Sequence, residues 1–278
     1  MKVKLSIIIV NYNVTNLLRN CIVSIQKYTR NVIFEVIVID NNSTDSTWKS
    51  LIDEFPEITF IVSEVNEGFA KANNKAIKEA KGEYVLLLNP DTEFEDYYIL
   101  DIIKFADSKP NFGCLGVRMH DAEGNFLPES KRSVPDMYNS FGKLFGKISK
   151  ENSRSYYRND IPEDAIAEVE VVTGAFLLVK REVYNNIGGL DESYFMYGED
   201  IDICYTLLNK ALTNYYYGKA SLLHYKGEST VRDRKYLERF YGAMQIFLDK
   251  YYKDNIFQYW LLLAGLKLRY TIEKTRIK

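Results

Sequence analysis

The sequence predicts an α/β fold: a mostly parallel central sheet flanked by helices, followed by a C-terminal helical extension. Three observations carry this. Strand-like and helix-like patterns alternate over the first hundred residues. The early strands are continuous apolar runs, as burial on both faces of a parallel sheet requires. From Lys235 onward the apolar spacing turns helical.

Leu5 to Val10 is the first β-branched run, and Asn16 to Tyr28 follows with Leu17, Leu18, Cys21, Ile22 and Ile25 at helical spacing. Phe34 to Ile39 reads as a second strand, Ser46 to Phe55 as a helix and Ile58 to Val62 as a third strand. Ala70 to Ala80 is a third helix and Tyr84 to Leu88 a fourth strand. Further along, Gly113 to Met119 is a strand with a turn at Asp121 to Asn125. The polar stretch from Lys143 to Glu168 reads as a mobile loop. Val169 to Val179 is a strand interrupted at Thr173-Gly174, and Arg181 to Ile187 is a short helix stopped by Gly188-Gly189. Glu199 to Asn209 is a helix and Thr213 to Tyr217 a strand. Leu237, Phe240, Tyr241, Met244, Phe247, Leu248 and Tyr251 then trace an amphipathic stripe. Residues 1–95 and 96–230 are expected to form two halves of one domain, and 231–278 the extension.

Composition narrows the classes. Hydrophobic residues are 46% and charged residues 27% of 278, so a sizeable core is available. A net charge of −2 does not suit a nucleic-acid binder. The charge is uneven: residues 231–278 carry 11 Lys/Arg against 5 Asp/Glu, making the tail +6 and the remainder −8. A basic, aromatic tail suits either a packed helix pair, a homodimer contact, or peripheral contact with an anionic membrane surface. Cys21, Cys114 and Cys204 are widely separated, which implies no disulfide framework and a reduced, cytoplasmic setting. No stretch of about 18 apolar residues marks a membrane span.

Ligands of open parallel sheets bind beyond the carboxyl ends of the strands. Those ends read Asn11-Tyr12-Asn13, Asp40-Asn41-Asn42-Ser43, Asn66-Glu67-Gly68 and Asn89-Pro90-Asp91-Thr92. Each alone is ordinary turn chemistry; four converging on one edge indicate a polar ligand. Tyr12 can stack on a nucleobase and Asp40 accept an imide N–H, while Asp91 can hold a divalent cation against a diphosphate. The dinucleotide glycine fingerprint, the phosphate-binding Lys-Ser/Thr loop and the His-Glu-x-x-His helix are all missing. The second rich stretch, Gly188 to Asp202, packs five carboxylates around Phe195, Met196 and Tyr197. A carboxylate there can serve as general base toward an acceptor hydroxyl. His224 is a candidate metal or phosphate contact, with Gly227, Ser229 and Thr230 close behind it.

The ordered set SIIIVNYN, DNNSTDST, NEGFAKANNKAI, GEYVLLLNPDT, VTGAFLLVKREV, GGLDESYFMYGEDIDIC and HYKGEST resembles the family-two inverting glycosyltransferases, nearest their rhamnosyltransferase-like branch. The resemblance spans Ser6 to Thr230 and implies that residues 1–95 form the nucleotide-sugar-binding half and residues 96–230 the acceptor-binding and catalytic half. It implies a GT-A fold, a nucleoside-diphosphate sugar (TDP- or UDP-linked), and Mg²⁺ or Mn²⁺. It also implies a glycan or lipid-linked glycan acceptor, with rhamnose the first expectation for the sugar, in cell-surface polysaccharide or glycoconjugate synthesis. By the same resemblance Asp200 is the catalytic base with Glu199 beside it. Asn11, Tyr12, Asn13, Asp40, Asn42, Asn66, Gly68, Phe69, Asn73, Asn89, Asp91 and Gly174 would bind the donor, the stretch from Asn66 to Asn74 lining the nucleotide. Asp91 and His224 would hold the metal. Asn89 stands where the family usually has the first Asp of Asp-x-Asp, which removes one formal charge. The Gln-x-x-Arg-Trp signature of processive synthases is absent, favouring transfer of one or a few sugars. A nucleotidyltransferase and a non-catalytic sugar-nucleotide binder are the competing readings.

Overall fold

The computed structural model describes residues 2–135, 156–225 and 233–276. In chain order the described elements are β1 (Leu5–Asn11), α1 (Thr15–Tyr28), β2 (Phe34–Asp40), α2 (Ser50–Glu54), β3 (Thr59–Val62), α3 (Phe69–Ile77) and β4 (Tyr84–Leu88). They continue with β5 (Thr92–Phe94), α4 (Ile99–Asp107), β6 (Phe112–His120), β7 (Ile166–Glu168), β8 (Phe176–Lys180), α5 (Arg181–Asn186) and α6 (Glu199–Asn209). Last come β9 (Thr213–His224), α7 (Arg234–Tyr251) and α8 (Ile256–Arg276).

The strands form one sheet in the order β3-β2-β1-β4-β8-β6-β9-β5, with β7 pairing to β9. Side chains alternate across it as a period of two demands. Leu5, Ile7 and Ile9 enter one core with Leu18, Cys21, Ile22 and Ile25 of α1. Ile8 and Val10 enter the other with Ala70, Ala72, Ala76 and Ile77 of α3. Every residue of β1 and β4 is therefore buried, which is why neither strand shows polar alternation in sequence.

The parallel arrangement expected from β-α alternation holds for β1 to β4. Beyond β4 the sheet is mixed: β8 is antiparallel to β4 and β6, and β9 is parallel to β6 but antiparallel to β5 and β7. The second half lacks the repeated crossover helix that enforces parallel pairing. The sheet also crosses residue 95 without a break, so the segments before and after it share one layer.

Three local expectations change. The helix at Ser46 to Phe55 opens as a 3₁₀ turn, Thr47–Lys49, before α2. The strand at Val169 to Val179 begins only at Phe176, and Val171 instead bridges Arg132. The stretch read as a mobile loop is ordered from residue 156: Arg158 and Ile161 are buried and β7 joins the sheet. Its earlier part, 143–155, lies outside the described residues. No element was anticipated between Thr92 and Asp107, where β5 and α4 form.

In the extension, α7 packs on α6 through Tyr251, edge-on to Tyr205 with centroids 4.7 Å apart, and through Phe247. α8 returns along α7, where Tyr241 meets Tyr270 at 5.3 Å and the Tyr259 hydroxyl donates to Asp249 at 2.7 Å.

Candidate active site

Parallel register sets Asn11 beside Asp40 at the carboxyl ends of β1 and β2. Both are buried, and Asn11 Nδ2 donates to Asp40 Oδ1 at 2.7 Å. The Ser43 hydroxyl and backbone N–H cap the same carboxylate at 2.6 and 3.0 Å. Asn13 holds this turn from the other side, its Oδ1 accepting from the Thr44 N–H at 2.7 Å. Asn13 and Asn42 both have positive φ (59° and 64°), which asparagine tolerates better than branched residues. Tyr12 is 43% exposed above this floor, so its ring is available for stacking.

Asn41, quoted with the β2 strand end but given no individual role from sequence, joins the floor to the next loop. Its Nδ2 donates to Asn66 Oδ1 and the Gly68 carbonyl, both at 3.1 Å, and its Oδ1 accepts from the Glu67 N–H at 2.9 Å. Gly68 then turns the chain at φ 81° and lies against the Phe195 backbone; a Cβ there would stand 2.2 Å from the Phe195 carbonyl oxygen. The Phe69 N–H donates to that carbonyl at 2.7 Å. The loop after β3 is thus seated on the acidic loop before α6.

The Asn74 side chain is taken up by Leu190 and Glu192 as acceptors and by the Tyr184 hydroxyl and Leu190 N–H as donors. Asn73 is 1% exposed, with Nδ2 donating to the Phe69 carbonyl at 2.9 Å.

The loop after β4 meets the end of β9. Thr92 pairs with His224 across β5 and β9, and His224 Nε2 stands 3.3 Å from Asp91 Oδ1. Both residues are buried, and His224 Nδ1 has no hydrogen-bond partner among the described residues. Gly227, Ser229 and Thr230 lie outside the described residues. The Asn89 N–H donates to the Ala175 carbonyl at 3.1 Å, drawing Gly174 alongside. Gly174 is buried between Asp200 and the Phe69 ring, and its N–H donates to Asp200 Oδ2 at 3.3 Å.

Asp200 sits in the first turn of α6, where the helix dipole favours acids. Its Oδ1 accepts from the Ile201 N–H at 2.8 Å and its Oδ2 from Arg132 Nη2 at 2.5 Å. Arg132 also donates to the Val172 carbonyl at 2.9 Å. Burial works against the Arg132 charge, but the Asp200 carboxylate and the Tyr156 hydroxyl outweigh it and raise the guanidinium pKa. The Asp200 side chain keeps 14% exposure toward the cleft. Glu199 is buried beside it, with Oε2 unpartnered among the described residues. Burial, and then the neighbouring Asp200 charge, push its carboxyl up to about 8. Asp202 is buried as well and accepts from Lys250 Nζ at 2.9 Å and the Tyr251 hydroxyl at 2.8 Å. Lys250 bridges to Asp191 at 2.7 Å, so α7 clamps both ends of the acidic loop.

The geometry therefore gathers Asn11, Asp40, Asn66, Gly68, Phe69, Asn89, Asp91, Gly174, Glu199, Asp200 and His224 along one edge of the sheet. Arg132, Asn41, Ser43, Lys250 and Tyr251 complete it, and sequence reading gave none of them a site role. Asn41 and Ser43 stood inside a quoted turn motif and Tyr251 in the helical stripe; Arg132 and Lys250 carry no local signal, since each acts on an acid 48 or more positions away.

Comparison with known proteins bears on the fold and the family. The profile of glycosyl transferase family 2 matches residues 6–188. N-acetylglucosaminyl-diphospho-decaprenol L-rhamnosyltransferase of Mycobacterium tuberculosis is 28% identical over 226 residues, covering 77% of this chain and 74% of its own. Rhamnosyltransferase WbbL of Escherichia coli is 26% identical over 199 residues, 68% of this chain and 72% of its own. Among solved structures, GalNAc-T7 with UDP, GalNAc and Mn²⁺ superposes with a TM-score of 0.64 at 16% identity, over 90% of this chain and 49% of that one, a likeness of fold. A fold of this type, with a family profile spanning most of the chain, places the protein in glycosyl transferase family 2, where its sequence likeness is to rhamnosyltransferases.

Proposed function

We propose that this glycosyltransferase moves a sugar, rhamnose first among candidates, from a TDP- or UDP-linked donor to a hydroxyl of a lipid-linked glycan, with inversion. The carrying observation is the juxtaposition of a polar floor at β1 and β2 with a cleft-facing carboxylate, Asp200, joined through Gly68 and Gly174. The rhamnosyltransferase relatives, one named for a decaprenol-linked diphosphate substrate, support the sugar and the acceptor class.

In this reading Tyr12 stacks on the base and the Asn11–Asp40 pair receives its polar edge. Asp200 accepts the proton of the acceptor hydroxyl as the oxygen attacks the anomeric carbon, and the nucleoside diphosphate departs from the opposite face. Arg132 and the Gly174 N–H fix the carboxylate's direction. Glu199, holding its proton near neutral pH, donates a hydrogen bond into the site rather than competing as a base.

Asp91 and His224 fit a divalent cation of the Mg²⁺ or Mn²⁺ kind, which takes one or two protein ligands and completes its shell with phosphate and water. No cluster of three His, Cys, Asp or Glu stands ready among the described residues, so the diphosphate would be part of that shell. Such a cation neutralises charge on the leaving diphosphate.

The test pairs binding with turnover. UDP or TDP with Mn²⁺ should raise the melting midpoint, and Asp200→Asn should keep that shift while turnover falls by at least about a hundredfold. Near-normal turnover in the variant would remove Asp200 as base. Absence of any nucleotide shift would remove the donor site.

A further inference from the structure

The outer face of α8 has no partner among the described residues. Phe257 is 79% exposed, Trp260 61% and Leu268 54%, and Leu261 and Ile272 are exposed too. At about 100° per residue, Phe257, Leu261, Ala264, Leu268 and Ile272 fall within an arc of about 80° that runs for about 22 Å. Leu262 and Leu263 turn inward and are buried, so the helix is already packed and the stripe is surplus to folding.

The chemistry around the stripe specifies its partner. Trp260, Lys267 and Lys274 run along one border, and both lysines are exposed. The helix has one carboxylate, Glu273, and it is engaged by Arg269 at 3.0 Å. A second copy docking here would bring unpaired ammonium groups against an apolar face that offers them no free carboxylate. A surface that is apolar below and anionic above accepts every part: aliphatic side chains inserted, the indole at the boundary and the ammonium groups among phosphates. No helix among the described residues is long and apolar enough to cross a membrane, and Lys267 in mid-helix suits a helix lying in the plane.

We infer that α8 docks this chain in plane on an anionic phospholipid surface through the Phe257–Ile272 stripe. The inference rests on the proposed lipid-linked acceptor for its purpose, and α7 gives it consequence. α8 packs on α7, and Lys250 of α7 holds Asp191 and Asp202, so α8 is linked by direct contacts to the helix that carries Asp200.

The test uses the full chain and vesicles of phosphatidylcholine with or without phosphatidylglycerol. The protein should float with the anionic vesicles, and its tryptophan emission should shift to the blue. That signal belongs to Trp260, because the second tryptophan, Trp48, is buried at 3% exposure. The triple variant Phe257→Ser, Trp260→Ser, Leu261→Ser should lose at least about tenfold in partition. Lys267→Glu with Lys274→Glu should remove the preference for phosphatidylglycerol. Each variant replaces exposed side chains, and an unchanged melting shift with UDP or TDP confirms an intact donor site. Flotation with no nucleotide shift in the unaltered chain would support the surface while refuting the donor reading. A nucleotide shift without flotation would overturn the surface alone. Flotation indifferent to the triple variant, or a dimer by light scattering that the variant dissolves, would overturn it as well.

Discussion

The Asn/Asp floor at β1 and β2 and the acidic loop before α6 use the same kinds of side chain but are held together differently. In the floor, the side-chain bonds among Asn11, Asn13, Asp40, Ser43 and Thr44 link residues no more than 32 positions apart. Parallel register alone brings them together. In the acidic loop, Asp200 is held by Gly174 and Arg132, 26 and 68 positions away, and Asp202 by Lys250 and Tyr251, 48 and 49 positions away. The floor comes from one β-α-β unit, whereas the loop also draws Arg132, Lys250 and Tyr251 from 48 to 68 positions away. Buried charges also differ: Asp40 is satisfied by neutral donors, while Asp200 and Asp202 rely on cations.

Removing a cation should expose that difference most strongly. Arg132→Met strands Asp200 in a mostly buried place and should cost about 3 kcal/mol in urea unfolding; a loss below about 1 kcal/mol would mean that the pair behaves as a surface contact. The seam between the regions comes next. Gly68→Ala adds a Cβ where φ is 81° and the Phe195 carbonyl is in the way. It should cost about 1–3 kcal/mol and weaken nucleotide binding, read as a smaller melting shift. An unchanged shift would show that the loops need not touch. Lys250→Met removes one of the donors on Asp202 and leaves Tyr251, so about 1–2 kcal/mol is expected. Its turnover should fall more than its donor affinity, and equal losses in both would make the clamp merely structural.

The smallest effect concerns protons. Glu199 is raised in the folded chain to about 8, so between the ordinary carboxylate range and that value the folded state holds a proton that the unfolded state has lost. Stability from this group is therefore greatest at low pH and declines as pH rises through that window. Glu199→Gln should flatten the fall in melting midpoint between pH 5 and pH 8, and identical slopes in both proteins would discount the buried acid.

Much of the fold was legible because burial writes itself into composition. β1, β2 and β4 are nearly continuous apolar runs, and Glu199–Asn209 was bounded by its Gly198 start and its acidic first turn. The ordered Asn- and Asp-rich strand ends located the site. β5 and β7 are three-residue strands whose pairing comes from β9, and three residues carry too little pattern to show a period. The bond from Asn74 to the Leu190 carbonyl, 116 positions away, was not legible, because a polar residue beside a loop looks the same in sequence whatever distant group it meets.

The sequence by itself determined the parallel first half, the edge at which polar residues converge, the acidic loop and the family, since each follows from periodicity, strand order or contiguous motifs. Only the tertiary structure decided that Arg132 is the cation beside Asp200, and that α7 is clamped to the loop while α8 leaves a stripe uncovered. Those facts depend on contacts between segments dozens of residues apart, and no local propensity encodes which distant partner will arrive.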